Sequence, residues 1–195
     1  MQWDTKAGGG GWVEPKWFRE NVLAPFRIGR GITIPAGVHD FADLQFVYTM
    51  PTGARLRTNV DFRSGTYFDG KRTQVILDPT WNASKHLELG ASYQLTRLRF
   101  DSRSQNDTIQ LLGLRVRSAL NTRASGNAFI QYNSTSQRVD VNVRLRYNFA
   151  EGTDSWLVYN EGLDSERTSL GAGVPLAPLS LSRAFIVKYS HTLTF

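Results

Sequence analysis

The chain has no cysteine, so neither a disulfide framework nor a thiolate metal site can organise it. Nor does it hold any stretch approaching the ~18–20 apolar residues that a membrane helix needs, and its mean hydropathy is −0.34. These absences argue for a water-soluble protein only if membranes are crossed by helices. A barrel strand shows lipid every second side chain, so its mean hydropathy stays low. Residues 1–11 lack a basic segment followed by an apolar core, so no signal peptide is legible there; a mature or truncated chain is expected. Basic residues outnumber acidic ones, 23 Lys and Arg against 17 Asp and Glu, for a net charge of +6. They form no run, so no nucleic-acid partner is expected.

Catalytic signals are also sparse. The three histidines, His39, His86 and His191, are far apart and lack metal-ligand spacing. No G-x-S-x-G, phosphate-loop or dinucleotide fingerprint is present. Gly8–Gly11 reads as a flexible linker. The sequence therefore predicts no enzyme, no metal and no cofactor.

What is present is period two. From Arg138 to Phe149, Val139, Val141, Val143, Leu145, Tyr147 and Phe149 share one face. Arg138, Asp140, Asn142, Arg144, Arg146 and Asn148 share the other, the alternation of a strand with one apolar side. The pattern recurs in Ala42–Met50, Ala54–Arg63 and Leu87–Leu95, and more weakly in Gln74–Trp81, Thr108–Leu120, Ala124–Tyr132 and Ser155–Asn160. A last strand places Phe185, Val187, Tyr189, Leu193 and Phe195 on one face, interrupted by His191. That makes nine strands, and Phe26–Ile34 is the expected tenth.

The links differ in kind. Residues 51–53, 82–85, 121–123 and 150–154 read as tight turns. Residues 35–40, 64–72, 101–107, 133–137 and 162–183 read as longer loops. Short turns on one side and long loops on the other is the asymmetry of outer-membrane barrels. A chain ending at the periplasm on Phe195 then puts the short turns there, and an even strand count closes the parity.

The expected fold is therefore all-β: an antiparallel transmembrane β-barrel of about ten strands in up-and-down order, or the C-terminal part of a larger one. Residues 25–195 would form the barrel and residues 1–24 a linker or periplasmic segment. A soluble sandwich or lipocalin-like barrel alternates too. Its polar face, however, would tolerate Lys and Glu, whereas here that face favours Arg, Asn, Gln, Ser and Asp, as suits a hydrogen-bonded interior. Tyr48, Trp81, Tyr132, Tyr147, Phe149 and Phe195 also fall near strand ends on the apolar side, where membrane interfaces enrich aromatics.

The polar face carries Arg55, Arg57, Arg63, Arg115, Arg117, Arg138, Arg144, Arg146 and Lys188, with fewer acids in Asp43, Asp61, Glu88 and Asp140. Either these line a cationic lumen that selects anions, or they pack an interior with little free room, as in barrels of about eight to ten strands. The second is favoured. Arg97 and Arg99 have lipid-facing parity at a strand's outer end, where they could meet anionic headgroups or simply be solvated.

Several stretches together resemble a specific family: Pro15–Phe18, Ile34–Gly37, Tyr67–Arg72, Phe129–Ser134, Leu145–Phe149, Leu157–Glu161 and Ile186–Tyr189. They are similar to the C-terminal barrel of a domain-of-unknown-function family whose members carry an N-terminal carbohydrate-binding-like domain. The resemblance implies that this chain is the C-terminal portion of a longer protein. It implies an outer-membrane location in a Gram-negative bacterium. The partners expected there are outer-membrane lipid, lipopolysaccharide and, through the last strand, the barrel-assembly machinery. The role expected is a membrane anchor or transport scaffold, with a narrow anion-selective pore or a loop-borne enzyme site as alternatives.

Overall fold

The structure is a computed structural model that describes residues 1–166 and 179–192. It is built of antiparallel strands. These are β1 (Gln2–Asp4), β2 (Gly10–Val22), β3 (Phe26–Ile28), β4 (Ile32–Ile34), β5 (Gly37–Thr49), β6 (Leu56–Arg57), β7 (Asn59–Tyr67) and β8 (Gly70–Leu77). There follow β9 (Thr80–Ser84), β10 (Leu87–Phe100), β11 (Gln105–Ala119), β12 (Ala124–Asn133), β13 (Arg138–Ala150), β14 (Thr153–Asp164) and β15 (Ser180–His191). Asp101–Arg103 form one 3-10 turn between β10 and β11.

Among the described residues the sheet has thirteen strands, not ten, in the order β1-β2-β5-β7-β8-β10-β11-β12-β13-β14-β15, with β6 and β9 off that path. Its antiparallel up-and-down order is as expected. Closure is not seen among the described residues, where the hydrogen-bonded path runs from β1 to β15. Leu193 and Phe195 lie outside the described residues.

Two expectations about the early chain are corrected. Residues 10–22, read as part of a linker, form a full strand whose every residue is registered against β5. They hide from the period-two test because charged and aromatic residues alternate on both faces. Pro15, which cannot donate to a ladder, is tolerated because the N-terminal segment pairs with β2 only as far as Val13, so among the described residues Pro15 stands at an edge. Residues 26–34, read as the tenth strand, fold back as the two-stranded sheet β3–β4. The cause is Gly29 (φ 55°) and Gly31 (φ 86°), which take the left-handed backbone of a tight reversal.

Strands also continue into stretches read as loops. β7 and β8 meet at a two-residue turn, Phe68-Asp69, with Tyr67 opposite Gly70. β10 reaches Phe100 and β11 starts at Gln105. The expected strand 54–63 instead breaks at Thr58, between β6 and β7. The contrast between short turns and long loops is therefore weaker than the sequence suggests.

The chain divides into two compact units, Met1–Pro79 with Ser92–Leu111, and Thr80–Ala91 with Leu112–Phe195. The first holds the buried apolar cluster: Val22, Ile32, Ile34, Phe41, Phe68, Leu98 and Phe100. The β3–β4 hairpin supplies it, because register sets Phe26 opposite Ile34 and Ile28 opposite Ile32, making one side wholly apolar. That side meets Phe41, Phe68, Leu98 and Phe100, which belong to the same side of the sheet as the polar side chains Asp43, Gln45 and Thr96. Phe26, Phe41 and Tyr67 surround the Phe68 ring at 4.8–5.8 Å. The hairpin is tied down by Arg103, which donates to the Thr33 carbonyl and pairs with Asp69 at 2.8 Å. Asp107 accepts from the Arg30 amide at 2.6 Å.

Ile32 is fully buried, so Ile32→Ala should lower unfolding free energy by about 2–5 kcal/mol, read by guanidinium titration. It should also expose the hairpin to trypsin at Arg27 and Arg30. Unchanged stability and protease resistance would show that the hairpin is not anchored through this cluster.

Candidate functional site

In the first unit, burial along the middle of β5 follows strand parity in reverse of a soluble sheet. Along β5, Asp43 is 5% and Gln45 2% exposed, while Leu44 between them is 49% exposed. Cross-strand register aligns Gln45 with Arg63 and then Arg63 with Gln74, so the polar side chains of neighbouring strands meet. Gln45 Nε2 donates to Asp61 at 2.7 Å and Arg63 pairs with Asp61 at 3.3 Å. Gln74 and Gln94 both donate to Thr96 Oγ1, at 3.0 and 3.3 Å. Arg72 pairs with Asp43 at 2.5 Å, and its guanidinium lies 4.4 Å from the Tyr67 ring centre. This polar layer lies on the side that the β3–β4 hairpin covers.

The predicted arginines are distributed as follows. Arg63 joins the buried layer. Arg55 falls in the bend just before β6 and Arg57 in β6 itself, outside the long strands. In the second unit Arg117 pairs with Glu88 at 3.1 Å, and Arg115 lies across Gly90, its guanidinium 3.2 Å from where a Cβ would stand. Arg138 pairs with Asp140 at 2.7 Å along one strand. Arg146 grips Asp154 of β14 with two bonds, 2.9 and 3.0 Å, and Asn148 donates to the same carboxylate at 3.1 Å. Asn142 bonds Asn160 across β13–β14. Arg144 shares this face and has no ion pair among the described residues.

On the opposite face of the second unit, Leu145, Tyr147, Phe185, Val187 and Tyr189 are 44–65% exposed. Phe185, Val187 and Tyr189 thus keep the predicted shared face of the last strand. His191, which breaks that face, stands opposite Thr153, whose Oγ1 is 2.7 Å from His191 Nδ1; the break is a strand-end contact. A second polar group interrupts the apolar face near the other end of β14: Glu161 binds Arg183 at 2.5 Å and accepts from Tyr159 Oη at 2.5 Å.

Arg72 was missed because residues 64–72 read as a loop. The signal was present: Lys71, Thr73, Val75 and Leu77 alternate with Arg72, Gln74 and Ile76, extending β8 backwards. Among the described residues, no group of three His, Cys, Asp or Glu is placed to hold a metal ion. No described helix is long and apolar enough to cross a membrane.

No known protein-family profile matches the chain, and no curated protein matches it. A solved structure of the NanC porin, in a rhombohedral crystal form, aligns with a TM-score of 0.39 and 12% identity over 95% of this chain and 98% of that chain.

Breaking the buried pair should cost more than breaking an exposed one. Asp43→Ala and Arg72→Ala should each destabilise by about 3–5 kcal/mol, because each strands the partner's buried charge. The double variant should lose clearly less than the sum. Arg138→Ala, at an exposed pair, should cost under about 1 kcal/mol. Equal losses at both pairs would contradict the burial described.

Proposed function

We propose that this chain is an outer-membrane β-barrel module with a packed polar interior, serving as a membrane anchor or transport scaffold rather than a catalyst. The observation that carries this reading is the sequence of exposures along β5: buried Asp43, exposed Leu44, buried Gln45. In water, unpaired polar groups gain from exposure and apolar ones from burial. The reversed arrangement is favourable where the outer medium is hydrocarbon and every polar group must find its partner inside. The exposed apolar side chains Leu112, Leu114, Val116, Leu145 and Tyr147 of the second unit extend the same logic. Lipid and the assembly machinery are the partners this reading implies, and a Gram-negative outer membrane the location. The hairpin over the polar face of the first unit supports a packed interior.

A second reading, a narrow anion-selective pore, is favoured by one feature: Arg115, Arg144 and Lys188 on the polar side of the second unit have no ion-pair partner among the described residues. Barrels with free cationic linings prefer anions.

Protein refolded in detergent should run at a different apparent mass before and after boiling. Absence of that shift, with good solubility in plain buffer, would overturn the membrane reading. In planar bilayers the refolded chain should show no steady conductance; a stable anion-preferring current would favour the pore.

A further inference from the structure

One patch on the exposed apolar face of the first unit is cationic. By register Lys71 stands opposite Arg99 and Thr73 opposite Arg97 across β8–β10. Across β7–β8, Thr66 stands opposite Lys71 and Ser64 opposite Thr73. These six side chains line an open cleft of about 440 Å³. Directly opposed side chains in an antiparallel pair start only about 4.5–5.5 Å apart at Cβ, and like charges there repel. Arg99 reaches Asp101 at 3.6 Å, while the Lys71 and Arg97 side chains have no ion pair or hydrogen bond among the described residues. Three cations within two rungs, with one long contact to a carboxylate, leave an unneutralised positive site.

The next rungs change character at once. Val75 stands opposite Leu95, Phe62 opposite Val75, and Phe46 opposite Phe62, all on the same side as the cations. A ligand satisfying both parts carries a compact anion and an apolar chain running down the strands. The geometry points to a site for a lipid bearing a phosphate monoester, its headgroup held by Lys71, Arg97 and Arg99 and its acyl chains lying along Phe62, Val75 and Leu95. The two guanidinium groups match phosphate oxygens in bidentate fashion, and Lys71 adds a point charge; at the rim Thr66 Oγ1 donates to the Ala42 carbonyl and the Ser64 and Thr73 hydroxyls bond each other. This site deepens the membrane reading and rests on it.

Three probes separate the parts of the ligand: phosphatidic acid has both phosphate and chains, diacylglycerol only chains, and inorganic phosphate only the anion. Protein refolded in a zwitterionic detergent should retain phosphatidic acid at least tenfold better than diacylglycerol by native mass spectrometry, and inorganic phosphate at matched concentration should not displace it. Arg97→Gln with Arg99→Gln should abolish the preference while keeping the boiling-dependent gel shift. Lys71→Gln alone, a single exposed change, should weaken retention severalfold, and Arg123→Gln, on a turn of the second unit, should leave it unchanged. Equal retention of diacylglycerol, or retention untouched by the Lys71 and Arg97/Arg99 changes, would overturn the site. Displacement by inorganic phosphate would overturn its lipid character. These outcomes in a protein that shows the gel shift defeat the site alone; a parent chain soluble in plain buffer and lacking the shift defeats the membrane reading and the site together.

Discussion

A carboxylate and a guanidinium that have left water together set the terms for the first unit. The Asp43 side chain is 1% exposed and that of Arg72 is 16% exposed. A buried charge without a partner costs several kcal/mol, so β5 and β8 must keep these residues on the same side of the sheet. A strand slipped by one residue would send every side chain to the other face. Fixing Asp43 inward therefore fixes Gln45 inward and Leu44 outward. The same rule then aligns Arg63, Gln74 and Thr96 with them through the ladder.

The hairpin follows from that constraint. A polar layer needs shielding from water if its bonds are to be strong, and β3–β4 provides it with one apolar side and a polar backbone anchored by Arg103 and Asp107. The second unit solves the same problem with less burial. Its paired arginines lie partly exposed, held by carboxylates one rung away or in the next strand, such as Arg146 with Asp154. Exposed pairs of this kind order side chains more than they stabilise the fold.

Much of this was legible because period two is a local signal. The faces of β13 could be read from Arg138–Phe149 alone, and β12–β13–β14 pair in the register that those faces require. Where local and tertiary signals disagreed, the tertiary ones won. Residues 26–34 alternate well enough to pass as a strand, since Phe26, Ile28, Ile32 and Ile34 all have even numbers. Only the positive φ of Gly29 and Gly31 folds those residues into a cap. Residues 10–22 fail the alternation test yet form a strand, because an edge position relaxes the demand for one clean face. Arg72 was hidden by turn-like neighbours at Phe68–Gly70, and the arginine face could be listed without revealing which members bind carboxylates. Pairing depends on the next strand, which sequence alternation does not name.

Each face of the sheet is defined by the medium it meets. With no native cysteine to remove, single cysteines at Leu44, Phe62 and Leu145 can be compared with cysteines at Arg144 and Gln131, each labelled with a fluorophore in protein folded into phosphatidylcholine vesicles. Leu145 and Arg144 are adjacent and both exposed, so neither label has to displace a core. Quenching by brominated acyl chains should be strong at Leu44, Phe62 and Leu145 and weak at Arg144 and Gln131. Equal quenching at adjacent positions, or strong quenching at Arg144 with none at Leu145, would contradict the inside-out arrangement on which the account depends.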